Sequence, residues 1–188
     1  MGGRGGSYSK NSFLGRKGKQ IDIQTAINNT NPHYFDGKEW QANCQRCVFA
    51  YEMQRRGYDV EAKPRILDGS DTLPYGDAPG GWKQVLKGME QVNMPSRNTI
   101  AKMDEQMAKW GDGARAIVRV VWKGNKVGHV FVAEQVNGKT HYVDPQSRFP
   151  MNIKDYMNGA IKGKTELLRM DKATSTPLLE KAVQRRRK

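Results

Sequence analysis

The stretch Asn43-Cys44-Gln45-Arg46-Cys47-Val48-Phe49-Ala50-Tyr51 decides the architecture, because it opens a helix with a thiol in its first turn. Asn43 is a good N-cap, Cys44, Cys47, Val48 and Tyr51 recur at helical spacing, and Gly57 supplies a C′ stop. Both cysteines fall on one face of that helix. Downstream, Arg97 to Trp110 reads as a second helix with Ile100, Met103, Met107 and Trp110 as its apolar stripe and Gly111 as its end. Between the two, Lys63 to Gly81 is rich in Pro, Gly and Asp and reads as a long irregular loop, either a binding edge or a plain connection.

From Ala114 the period changes to two. Ala114 to Trp122 is dense in β-branched residues and reads as a strand. Asn137-Gly138 then signals a type I′ hairpin, which pairs Val136 with Lys139 and lets the register be counted outward. That count sets His129 opposite Gln146 and Phe131 opposite Asp144. His129, Phe131, Ala133, Tyr142, Asp144 and Gln146 then share one face, with His141 and Val143 on the other. His129 and Asp144 become diagonal neighbours, about 7–8 Å apart at the backbone and close enough for a carboxylate to reach an imidazole. A last strand is expected at Thr165 to Met170 and a short helix at Thr176 to Gln184.

The chain has 188 residues and a net charge of +13, enough length for one domain with a self-sufficient core. Basic residues crowd the ends: Arg4, Lys10, Arg16, Lys17 and Lys19 at one, Lys181, Arg185, Arg186, Arg187 and Lys188 at the other, with no acid in either segment. The expected organisation is a disordered basic tail over 1–20, a catalytic domain over 21–180 and a basic C-terminal tail over 181–188. Such tails favour weak, salt-dependent contact with nucleic acid or other anionic surfaces. The start lacks the apolar run of a secretion signal, and no stretch of roughly 18 apolar residues is present to span a membrane, so a soluble protein is expected. Two cysteines three positions apart do not staple a domain, and a reducing compartment suits them.

Cysteine at a helix start, then histidine and a carboxylate on strands, is the order of a papain-like thiol enzyme, an α+β fold with its catalytic helix packed on an antiparallel sheet. A helix N-terminus stabilises a thiolate, an imidazole takes and returns the proton, and a carboxylate holds the imidazole in the useful tautomer. Each residue alone has a plainer explanation, since a helical cysteine usually packs and a strand histidine often just satisfies an aspartate. The conjunction is what points to chemistry. Backbone amide at the helix start, helped by Gln41 or Asn43, would stabilise an oxyanion.

The run from Asn43 to Pro64, with Gly128-His129-Val130 and Tyr142-Val143-Asp144-Pro145-Gln146, resembles the papain-fold toxin family of glutamine deamidases, over about Asn31 to Met170. The resemblance implies Cys44 as nucleophile, His129 as base, Asp144 as the orienting residue and Gln146 beside them. It further implies a protein substrate bearing a target glutamine, and a toxin or effector acting in a target or host cytoplasm. An immunity protein or phage structural protein as partner, and carriage with a phage particle, belong to the same expectation, because similar domains occur beside phage head-morphogenesis proteins. One alternative stays open: Gln41 six positions before Cys47 also matches the papain protease pattern, in which Cys47 attacks.

Rival classes are a cysteine protease of the same fold, a non-catalytic basic virion-associated binding protein, a thiol redox protein and a zinc site. Cys44-x-x-Cys47 alone is a weak redox signal without a preceding βαβ pattern. His33, His129 and His141 offer no spaced second ligand pair for zinc, so neither metal nor cofactor is expected.

Overall fold

The computed structural model describes residues 12–124 and 127–186. In chain order the helices are α1 (Ile23–Thr30), α2 (Lys38–Gln41), α3 (Cys44–Arg55), α4 (Thr99–Trp110), α5 (Ile153–Gly159) and α6 (Leu179–Ala182). The strands are β1 (Val60–Ala62), β2 (Leu86–Lys87), β3 (Gln91–Asn93), β4 (Arg115–Val121), β5 (Gly128–Val136), β6 (Lys139–Val143), β7 (Glu166–Arg169), β8 (Thr174–Ser175) and β9 (Val183–Arg185). The mixed helix and antiparallel-sheet architecture is α+β.

Five strands form the central sheet in the order β3-β7-β4-β5-β6, every pair antiparallel. Helices cover both faces of it. On one side Val48, Phe49 and Met53 share an apolar cluster with Ile117, Val130, Val132 and Val143; on the other Met103 and Met107 pack with Val118, Val120, Phe131 and Ala133. This explains why β4 reads as a nearly unbroken apolar run, since a strand covered on both faces has no solvent side to make polar.

Helix α3 is buried on almost every side, including its charged residues. Each of those needs a partner, because an unpaired buried charge is expensive. Glu52 takes Arg115 at 2.6 Å and Arg56 at 2.7 Å, Arg55 holds Glu134 of β5 at 2.6 Å, and Arg46 holds Asp71 at 2.8 Å. The last pair ties α3 to the irregular segment 63–81. Gly57 ends the helix region at φ +97, and Gly18 N donates to its carbonyl at 2.7 Å. A side chain at 57 would collide with the Gly18 backbone, so glycine is required there on both counts.

The hairpin forms as counted. Asn137 and Gly138 both have positive φ, and the ladder runs from Val136↔Lys139 to Val132↔Val143. It stops there, so the counted Phe131–Asp144 and His129–Gln146 pairs are not ladder pairs. Beyond Val143 the chain turns at Asp144-Pro145-Gln146, where Gln146 N donates to Asp144 Oδ1 at 3.1 Å; Pro145 has no N–H to extend a ladder.

The ends differ from expectation. Disorder expected over 1–11, and the last two residues of the C-terminal tail, lie outside the described residues. Part of residues 12–20 is packed while Arg16 to Gln20 are exposed: Ser12–Leu14 form a 3-10 turn, Leu14 is buried, and Arg185 Nε donates to Phe13 O at 3.1 Å. Burial of Leu14 gives this segment an apolar anchor that net charge conceals. The helix expected at Thr176 to Gln184 shortens to α6, and Val183 to Arg185 instead pair with β1 as a strand. Strand β1 offers an open edge, and β-branched Val183 suits that pairing better than a further helical turn. No helix among the described residues is long and apolar enough to cross a membrane.

Candidate active site

Three elements meet at the end of the hairpin farthest from its turn. Cys44 is the first residue of α3, His129 the second of β5, and Asp144 follows the last residue of β6. His129 Nε2 lies 2.8 Å from Asp144 Oδ2. Cys44 lies near enough to His129 to raise its basicity, and both line the same cleft. The imidazole thus interacts with both the thiol and the carboxylate.

Electrostatics follow from that position. Burial alone would lower the basicity of His129, but hydrogen bonds and negative charge from Asp144 and Cys44 outweigh it and raise its pKa to about 10. Asp144 is also buried, which disfavours its charge. Its bonds from His129, from Tyr156 O–H at 2.7 Å and from Gln146 N nevertheless hold the carboxyl below the usual carboxylate range. A histidine kept charged beside an ionised aspartate is a poised proton donor.

The two cysteines are not equivalent. Both are free thiols. Cys44 opens on a cleft of about 750 Å³, whereas Cys47 is sealed in the core with its Sγ donating to Asn43 Oδ1 at 3.2 Å. Burial, then the charges of Cys44 and Asp144, push the Cys47 thiol well above its ordinary range.

The remaining candidates divide. Gln41 and Gln146 line the cleft with Cys44, His129 and Asp144. Gln41 Nε2 donates to Tyr34 O at 3.2 Å, and Gln146 Nε2 reaches Asn43 Oδ1 at 3.4 Å. Asn43 does not line it. Its carboxamide is fully buried, donating to Lys63 O at 3.1 Å and exchanging bonds with Asn31, so an oxyanion role for that side chain does not hold. It also makes no side-chain cap bond, although it stands at the N-cap position. Asn43 instead ties together the start of α3, the segment after β1 and the turn after β6. The first intrahelical bonds run from Arg46 N and Cys47 N to Asn43 O, which leaves the amides of Cys44 and Gln45 ahead of them at the helix start. Among the described residues no group of three His, Cys, Asp or Glu is arranged to hold a metal ion.

A family model described as papain fold toxin 1, glutamine deamidase, matches residues 42–149, more than half of the chain. The chain belongs to this family. The match contains Cys44, His129, Asp144 and Gln146. No curated protein and no solved structure matches it.

Two aromatic residues complete this papain-fold site and were not singled out from the sequence. Trp122 stacks on the His129 ring at 5.7 Å between centroids, and Tyr156 of α5 donates to the same Asp144 oxygen that His129 uses. A signal for α5 was available: Asn152 is its cap, accepting from Lys154 N at 3.0 Å, and Ile153, Tyr156 and Met157 are spaced as a helical stripe. Its position beside the aspartate is a tertiary fact that no local pattern carries. Replacing Tyr156 with Phe keeps the ring and removes one donor, with an expected stability loss of about 1 kcal/mol in chemical denaturation.

Proposed function

We propose that this papain-fold toxin is a protein-glutamine deamidase in which Cys44 is the nucleophile, His129 the acid–base group and Asp144 the residue that orients it. The observation that carries the reading is the His129 imidazole held 2.8 Å from Asp144 Oδ2 in the cleft that Cys44 also lines, with Cys44 raising its basicity. With the thiol proton already held by His129 as imidazolium, the Cys44 thiolate attacks the side-chain carbonyl carbon of glutamine. The oxyanion forms beside the Cys44 backbone amide, with Gln41 able to swing in as a second donor. As the tetrahedral intermediate collapses, His129 returns the proton to the departing nitrogen, which leaves as ammonia. Water, deprotonated by His129, then cleaves the thioester and gives glutamate and the free thiol. The target is a protein of the cell the toxin acts on, and the basic ends add weak, salt-dependent contact with anionic surfaces.

A peptidase would use the same groups but cleave the backbone. The test is to incubate the purified chain with a cell lysate, assay ammonia, and map glutamine-to-glutamate conversion and new peptide termini by mass spectrometry. Ammonia with glutamate and no new termini is expected. New termini without deamidation would replace this reading with proteolysis.

The raised His129 pKa sets the pH dependence. The imidazolium persists between its ordinary 6.5 and about 10, so the alkaline limb of kcat is expected near pH 10 and not near neutrality. Asp144→Asn removes the negative partner and should move that limb downward. The same linkage gives His129 a stabilising contribution that is full below 6.5 and fades as pH rises through about 10.

A further inference from the structure

Six large apolar side chains stand exposed among the described residues: Phe35, Ile66, Leu67, Tyr75, Val127 and Phe149, from 51% to 68% exposed. Two of them line the Cys44 cleft, and the other four are tied to lining residues by sequence or by ring contact. Tyr75 and Val127 line it directly. Ile66 and Leu67 follow Arg65, another lining residue. Phe35 and Phe149 meet Tyr34, also in the lining, edge-on at 5.1 and 6.2 Å between centroids. Scattered exposed apolar residues are ordinary, but two in the lining of one cleft, with the others next to its lining residues, suit a docking face.

The cleft also carries an uncommitted cation. Arg46, Arg55, Arg56, Arg115, Arg119 and Arg169 all have carboxylate partners. Arg65 lines the opening with no carboxylate in ion-pair range among the described residues. A second copy of this chain is a poor occupant, since each copy carries +13 and would meet like charge. A free amino acid is also a poor one, because it would not reach the outer rim residues while its carboxamide sat at Cys44. A segment of an acidic protein satisfies both features.

Resting on the deamidase reading of the site, we propose that the rim docks the substrate chain itself: apolar side chains flanking the target glutamine settle on the 34–35/149 and 66–75 walls, and an acidic residue beside them pairs with Arg65. The rim selects which glutamine is presented to Cys44, and Cys44, His129 and Asp144 carry out the chemistry.

The experiment separates docking from catalysis. Full-length Cys44→Ala protein is titrated by fluorescence anisotropy with labelled peptides in which glutamine is flanked by Leu, Phe and Glu, by Gly and Ser, or by Leu, Phe and Lys. The first is expected to bind about tenfold or more tightly than the second, as one or two buried apolar side chains supply. Phe35→Ser/Phe149→Ser, at exposed positions, should remove that preference, and Arg65→Glu should invert the order of the Glu and Lys peptides. Equal or undetectable binding of all three peptides overturns the proposal. So does a preference the rim variants leave intact, or a rim that these substitutions weaken only toward a single-stranded oligonucleotide. Ammonia release by the Cys44-containing chain is measured separately, so loss of the docking face and loss of the deamidase reading give different results.

Discussion

Cys44→Ala is expected to lower glutamine deamidation by on the order of 10⁴-fold or more, the scale seen when a covalent nucleophile is removed, while Cys47→Ala stays within about tenfold of the parent. The asymmetry follows from what each thiol touches. Cys44 lies near His129, whose basicity it raises, and opens on the cleft, so the imidazole can hold its proton and its sulfur has access to a carbonyl carbon. Cys47 lies one turn deeper, fully buried, donating to Asn43 Oδ1. Burial disfavours its thiolate. Its replacement leaves a small cavity and one lost weak hydrogen bond, so the cost falls on stability. Initial rates of ammonia release from the same substrate, with circular dichroism to confirm folding, distinguish the two effects. Equal losses in the two variants would undo the assignment.

Glu134→Ala is expected to cost about 3–5 kcal/mol of folding stability, the range for removing one partner of a buried ion pair. Glu134 is 1% exposed on β5, accepts Tyr51 O–H at 2.7 Å, and receives Arg55 through both Nε at 3.1 Å and Nη2 at 2.6 Å. Removing the carboxylate strands a buried guanidinium and a buried phenol between α3 and the sheet. Burial, the largest cause of the raised Tyr51 pKa, persists in the variant, so the phenol has no route to relief by ionising. A shift in the urea midpoint at unchanged slope measures the loss. Because this network holds α3 against β5, the elements that bring Cys44 and His129 together, loss of activity should accompany it at temperatures where the parent remains folded.

The legible and illegible parts of this fold separate along physical lines. The hairpin was legible because Asn137-Gly138 imposes a turn whose backbone geometry fixes the register, and β4 because β-branched residues leave few alternatives. The helix start at Asn43 was legible from spacing, but the work of Asn43 was not. A short carboxamide at an N-cap position reads as a local cap, and only tertiary packing shows it bonded to Lys63, Asn31 and Gln146 instead. Tyr156 and Trp122 were missed for the same reason, since their contacts with Asp144 and His129 join segments whose proximity no local period encodes. The N-terminal segment misled through composition. Its glycines and cations suggested a free tail, whereas Leu14 is buried, Phe13 packs beside it and Gly18 bonds to Gly57, so a short apolar anchor and a few hydrogen bonds hold residues that charge would release. At the other end, Val183 exchanged a helical turn for the open edge of β1, a choice visible only once that edge exists.

The most direct test of Cys44 as the activated thiol is a brief iodoacetamide pulse on the folded wild-type chain, followed by peptide mapping of both cysteines. Expected is modification of Cys44 with Cys47 untouched until denaturant is added, and a much slower pulse reaction at Cys44 in His129→Ala. Labelling of both thiols only on unfolding, or of Cys47 ahead of Cys44, would contradict it.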